Sequence, residues 1–323
     1  MKKILASVAL VGAAALAMTG CATDAGNGGG GGGGDDLITV GFAQTGSESG
    51  WRSANTESLK AAFSEENGFK LIFNAADNKQ EAQIAAVRSF INQGVDAIVI
   101  APITVDGWDD VLSEAKDAGI PVILEDRTVS ASEDLYASWV GLDFEKEGEL
   151  AGQWVAENAA GSNIVILEGT TGSSAALDRA TGFAKAIEGA DINVLDSQTG
   201  DFTRDGGKKV MEGFLQKYGG EIDLLFAHND DMGLGALDAI EAAGLVPGED
   251  IKIVTIDAVH DGMQALADGK FNFIVECNPL LGEKVADLVR KVLAGDSVAK
   301  REIVEDQTFT QEQAKEVLPT RPY

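Results

Sequence analysis

Ile38–Arg52 reads ITVGFAQTGSESGWR, and this stretch decides the fold. Ile38-Thr39-Val40-Gly41-Phe42 has the apolar character of a buried strand. Gln44 to Gly50 is a loop of small and polar residues. A helix begins near Trp51, with apolar or small positions at Trp51, Ala54, Asn55, Leu59, Ala62 and Phe63. A strand feeding a glycine-bearing turn and a helix N-terminus is how open α/β sheets present ligand loops. The turn carries an acid (Glu48), a flat apolar ring (Trp51) and a fixed cation (Arg52). That mixture suits a small ligand with hydroxyls on its edges and C–H groups on its faces.

Upstream, residues 1–20 read as an export signal. Lys2 and Lys3 form its basic start, and Ile4 to Met18 an apolar core too short to span a membrane comfortably. Met18-Thr19-Gly20-Cys21 resembles a bacterial lipobox, although leucine is usual where Met18 stands. The signal would be cut before Cys21, which would take a lipid; the alternative is an ordinary secretory signal with an incidental cysteine. Residues 21–36, nearly pure glycine from Asn27 and ending in Asp35-Asp36, form a solvated tether. The expected location is extracytoplasmic, lipid-anchored to the cell membrane.

Downstream, strands and helices alternate, which implies parallel sheets with helices on both faces. The first half runs through strand 70–74, helix 80–93 ending at Gly94, strand 96–100, a helix through Trp108 and Leu112, strand 121–124 and strand 139–142. A crossover is expected there. The second half repeats the scheme with strands at 163–167, 192–195, 224–226, 251–256 and 271–275. Pro279 marks a return to the first half, and a short strand and a short helix are expected after Arg301. Both halves place polar clusters just past strand carboxyl ends, the ligand edge of such sheets: Gly46–Arg52, Ala101–Thr104 and Asp126-Arg127, then Gly169–Ser174, His228–Asp231 and Asp257. Two such edges facing each other would make a cleft that closes on a ligand and expels water.

Composition narrows the function. The 323 residues suffice for two domains with proper cores, and the apolar fraction is that of a globular chain. A net charge of −27 repels nucleic acid and anionic headgroups. Two cysteines make no disulfide scaffold, and Cys277 in an apolar run reads as a buried thiol. His228 and His260 are too few for a histidine-rich metal site. Gly169–Ser173 lacks the Lys-Ser/Thr pair of a phosphate loop. Adjacent Asp230 and Asp231 diverge on a helix, one as a cap and one solvated, so no metal is expected. There is no GxSxG elbow, and no pair of carboxylates is singled out for glycoside hydrolysis.

Binding has positive candidates. Asp126 can accept from vicinal hydroxyls while Arg127 donates in a fixed fork, or the two pair with each other as a surface salt bridge. Arg179, early on a helix where the dipole disfavours a cation, is aimed at a ligand or paired with Asp178. Asn229 offers a donor and an acceptor, or is a turn residue. Trp51 and Phe202 are stacking candidates; Trp108, Trp139 and Trp154 read as packing residues.

VGFAQTGSESGWR, VRSFINQGVDAIVIAP, EAKDAGIPVILEDR and AHNDDMGLGALDAI, with the block around Gly200–Arg204, occur in the order found in one family. From Ile38 to Tyr323 the chain resembles the ribose/galactose-type periplasmic sugar-binding proteins of ABC importers, and within them the galactofuranose binders. The resemblance implies a periplasmic-binding-protein-like α/β fold, two Rossmann-like lobes with parallel sheets joined by a three-segment hinge. Lobe 1 is then 37–141 and 277–304, and lobe 2 is 142–276 and 305–323. Carried over by position, Glu48, Gly50, Trp51 and Arg52 fall in the first sugar-contact loop, Asp126 and Arg127 grip ring hydroxyls, and Arg179, Asn229 and Asp257 are far-lobe contacts. Phe202 corresponds to a stacking position. Around Glu276 the motif departs from the family pattern. The implied protein is a monomeric binder, without cofactor or catalysis, that delivers a monosaccharide (galactofuranose or a related sugar) to an ABC permease and its ATPase. A sugar sensor for a receptor and an exported carbohydrate-active enzyme are the alternatives. A repressor of the same fold would need DNA-binding helices that this chain lacks.

Overall fold

The alternating pattern resolves into two six-stranded sheets, each with helices on both faces, in a computed structural model that describes residues 37–323. The expected signal 1–20, lipidation at Cys21 and tether 21–36 lie outside the described residues.

The chain builds β1 (Ile38–Gln44), α1 (Gly50–Ala62), β2 (Phe69–Ala75), α2 (Gln80–Gln93), β3 (Ala97–Ile100), α3 (Asp109–Asp117), β4 (Val122–Asp126) and β5 (Ser138–Leu142). It then crosses and forms α4 (Phe144–Asn158), β6 (Ser162–Glu168), α5 (Ser174–Ala186), β7 (Ile192–Thr199), α6 (Arg204–Tyr218), β8 (Leu224–Ala227), α7 (Asp230–Ala242), β9 (Lys252–Asp257), α8 (His260–Ala267) and β10 (Phe273–Glu276). It returns for α9 (Gly282–Ala294) and β11 (Arg301–Val304), and ends with β12 (Thr308–Phe309) and α10 (Gln311–Val317). The strand orders are β11-β5-β4-β3-β1-β2 and β12-β10-β9-β8-β6-β7. Every pairing is parallel except β12 on β10. The chain therefore passes between sheets three times: at Asp143, at 277–281 and at 305–307.

Two local expectations change. After Arg301 there are two short strands, one in each sheet, because the polar Glu305-Asp306-Gln307 carries the chain across. The last strand of the second half starts at Phe273, because the Phe271 N–H closes the end of α8 on the Ala265 carbonyl.

Strand periodicity divides the first core. Ala97, Val99 and Ile123 face the side covered by Trp51 and Leu59 of α1 and Val285 and Leu288 of α9. Ile98, Ile100, Val122 and Leu124 face Val87 and Phe90 of α2 and Val111 and Leu112 of α3. In the second lobe α4 and α5 pack unusually close. A Cβ on Gly148 would stand 2.1 Å from the Arg179 carbonyl oxygen, and one on Gly182 would stand 1.9 Å from that of Glu145. Only hydrogen at these two positions permits the contact.

Candidate functional site

The carboxyl edges of the two sheets face each other across one shared space. Glu48, Trp51, Arg52, Asp126, Arg127, Arg179, Phe202, Asn229 and Asp257 all line it. So do Ser49, Phe144, Ala175 and Cys277, which the sequence reading did not select. Gly50 does not line it; its N–H donates across the gap to Asp231 Oδ2 at 2.7 Å.

On the first lobe, Ser49 caps α1 by accepting from the Arg52 N–H, so Trp51 and Arg52 leave the first turn toward the space. Arg52 is fully buried and held from several directions. It pairs with Asp126 and with Glu48 (3.3 Å), donates to Asn55 Oδ1 (3.0 Å) and lies 3.7 Å from Glu125. The Trp51 indole N–H donates to the Cys277 carbonyl at 2.6 Å, and the Arg52 guanidinium lies over its ring. Asp126 ends β4 in a left-handed conformation that turns the chain at the edge. Arg127 is more loosely held, 3.6 Å from Glu48 and 3.7 Å from Asp126. Burial works to raise the Glu48 carboxyl, but Arg52 and Arg127 hold it below the usual range. Burial and the charge of Asp126 push Glu125 up to about 8. Burial and neighbouring Arg52 lower Arg127.

The second lobe uses backbone more. Ser173 caps α5, and Arg179 follows in its second turn. Arg179 is salt-bridged to Glu147 at 2.7 Å and donates to the His228 carbonyl at 2.5 Å; Asp257 Oδ1 is 3.9 Å away. The pairing with Asp178 weighed from sequence is not formed; Glu147 takes that place because the glycine contact brings α4 against α5. Burial pushes Glu147 up against the pull of Arg179. His228 is pushed down to about 3 by burial and by Arg179, so it is a neutral imidazole.

Asp201 and Phe202 both adopt positive φ, which turns the Phe202 ring onto the bare face of Gly169. A Cβ on Gly169 would lie 1.9 Å from that ring. Arg127 of the opposite lobe stands over the ring at 5.2 Å. Asn229, not an aspartate, caps α7: its Oδ1 accepts from the Met232 N–H while its Nδ2 donates to the Phe202 carbonyl. The assignment of Asp230 and Asp231 as one cap and one solvated acid is therefore corrected. Asp230 is buried, and Asp231 reaches the first lobe. Asp257 ends β9 at φ 132°, and burial raises its carboxyl well above the usual range despite Arg179. Glu276 does not line the space; it accepts from Tyr323 and pairs with Arg321, both at 2.8 Å.

Two further contacts draw the edges together. The Thr128 N–H donates to Ser174 Oγ (3.0 Å) and the Val105 N–H to the Gly172 carbonyl (2.9 Å), beside the Gly50–Asp231 bond. Within the enclosed space Arg127 Nε and Asp257 Oδ2 are buried and have no hydrogen-bonding partner. Three arginines (Arg52, Arg127, Arg179) face three carboxyl groups (Glu48, Asp126, Asp257), so the lining has no strong charge excess. Such a lining can donate to and accept from hydroxyls while Trp51 and Phe202 cover apolar faces.

The family model for the periplasmic binding protein domain matches residues 40–297. The galactofuranose-binding protein YtfQ of Escherichia coli (strain K12) is 45% identical over 288 residues, 87% of this chain and 90% of that protein. A Mycobacterium smegmatis protein solved in complex with β-D-fucofuranose superposes with a TM-score of 0.86 at 58% identity, covering 89% of this chain and 96% of that one. The binding component of the arabinose ABC transporter of Shewanella sp. ANA-3, bound to α- and β-L-arabinofuranose, gives 0.85 at 46% identity, with coverages of 88% and 95%.

Proposed function

The chain belongs to the family of periplasmic binding protein domains, and from that premise we propose that it is the sugar-capturing component of an ABC importer, selective for a neutral furanose such as galactofuranose, fucofuranose or arabinofuranose. The observation that carries this reading is the pair of buried, partnerless groups, Arg127 Nε and Asp257 Oδ2, on opposite walls of one enclosed space. A buried donor and a buried acceptor left unpaired each cost about 1–3 kcal/mol. A ring carrying adjacent hydroxyls relieves both at once and bridges the lobes. The furanose form is supported by the sugars bound to two similar structures. Ligand groups on both lobes favour the closed arrangement, and the three crossovers serve as its hinge. The permease and its ATPase then receive the sugar; no chemistry is performed. The leader and Cys21 support export and a lipid anchor, for which a Cys21→Ser chain released from the membrane fraction is the check.

The test of the ligand is a thermal-shift and calorimetric screen of D-galactose, D-fucose and L-arabinose with anhydroalditols locked in either ring size. The five-membered lock is expected to raise Tm by linkage and the six-membered lock to leave it unchanged. Equal binding of both locks, or turnover of a glycoside, would overturn the reading.

A further inference from the structure

Asp257 reaches the cleft through a turn that its own residues disfavour. Asp257 at φ 132° and Ala258 at φ 65° are consecutive non-glycine residues with positive φ. Each such conformation costs about 1–3 kcal/mol and persists only where surrounding structure over-determines it. Three groups hold this turn: the Cys277 N–H donates to the Asp257 carbonyl at 3.1 Å, Arg321 Nε donates to the Ala258 carbonyl at 2.8 Å, and the third is Asp230. It does not line the cleft, and it is fully buried in the first turn of α7. Its Oδ1 accepts from the Thr255 hydroxyl at 2.5 Å, and its Oδ2 accepts from the Val259 N–H at 2.9 Å. One carboxylate thus grips the chain two residues before and two residues after Asp257. The fit extends to the start of α8: a Cβ on Gly262 would stand 2.2 Å from Asp230 Oδ2. On the other side Asn229 fixes α7 to the Phe202 turn, so the base from which Asp230 reaches is itself anchored at the site.

We infer that Asp230 is a positioning residue for sugar binding, a bracket that holds the strained Asp257–Ala258 turn so that the Asp257 carboxyl points at the ligand. The inference rests on the sugar-binding reading above and deepens it. Thr255 is the second half of the same bracket, and neither residue touches the sugar.

The experiment is a double-mutant cycle read by calorimetric titration of the full-length chain with D-fucose. Wild-type binding is the control: if it is absent, the proposed function fails and the bracket is not at issue. Given that binding, Asp230→Ala is expected to weaken affinity about tenfold or more, equivalent to about 1.4 kcal/mol. Asp230→Asn should restore most of the affinity, since its amide still accepts from Val259 and donates to the Thr255 oxygen. Asp257→Ala should weaken binding at least as much, and the double variant should be no weaker than Asp257→Ala alone. A general loss of structure would not give that non-additivity. Thr255→Val supplies the same cycle if Asp230→Ala does not fold. Full affinity in Asp230→Ala, or losses in the double variant that multiply, would overturn the assignment.

Discussion

The two walls of the cleft present the same chemistry and hold it by opposite means. On the first lobe, side chains fix one another: Arg52 contacts Glu48, Asn55, Glu125 and Asp126. On the second, backbone does more of the work: Arg179 leans on a carbonyl, on Glu147 and, at 3.9 Å, on Asp257, and the consecutive pairs Asp201-Phe202 and Asp257-Ala258 stand on turns with positive φ, against Asp126 alone on the first wall. A charge network tolerates the loss of one member because others remain. A strained turn or a lone buried pair does not.

The sharpest break of that comparison is Arg179→Ala against Arg127→Ala. Removing Arg179 strands Glu147 in the interior, so chemical denaturation should register a loss of about 3–5 kcal/mol together with lost binding. Arg127 has long contacts to Glu48 and Asp126 and a 3.5 Å hydrogen bond to the Ile103 carbonyl. Its alanine variant should lose binding while stability changes by no more than about 1 kcal/mol. Equal destabilisation by the two would erase the distinction between the walls.

Gly169→Ala comes next. The added methyl meets the Phe202 ring, and overpacking of about 1–3 kcal/mol should appear as weaker sugar binding, by about tenfold. A Phe202→Leu partner that recovers affinity would place the effect at that contact.

Asp231→Ala should weaken binding several-fold, through a faster off-rate in stopped-flow, because it removes the bond to Gly50 that spans the lobes. Its effect should add to that of Asp257→Ala, since the two act through different contacts.

The smallest effect is one of pH. Glu125 is raised to about 8 from an ordinary 4.5, so the folded chain keeps a proton that the unfolded chain releases. Its contribution to stability is complete below about 4.5 and fades as pH rises through about 8. Glu48 is shifted the other way; its contribution is present above about 4.5 and fades as acid takes the pH through its lowered value. Glu125→Gln should flatten Tm between neutral and mildly alkaline pH, and an unchanged slope would remove Glu125 as the source.

The fold was legible because parallel strands and amphipathic helices leave different periodicities, and because Gly and Pro mark their ends. The gathering of Asp126, Arg127, Asn229 and Asp257 around one space was legible too, since they stand just past strand ends, where such sheets present their loops. What escaped was the support. Glu147 lies far from Arg179 in the chain and meets it only through the α4–α5 glycine contact. The signal available was three glycines, Gly148, Gly152 and Gly182, on two successive helices. Glu125 follows the buried Val122-Ile123-Leu124 run, where burial raises its carboxyl against the pull of Arg52 at 3.7 Å. Asp230 escaped because two adjacent aspartates read as helix-start decoration, whereas they face in different directions for different purposes.

Trp51 shares the cleft with the ligand groups, carries a guanidinium on its face and leans by its N–H on a carbonyl of the second crossover. Of the other indoles, Trp108 is in the first core, Trp154 is stacked on Phe273, and Trp139 donates by its N–H to the Asp126 carbonyl at 3.2 Å, behind the cleft wall. The molecule therefore carries its own optical gauge. Intrinsic fluorescence is expected to shift on sugar addition, and a Trp51→Phe variant that keeps the full shift would assign it to another indole.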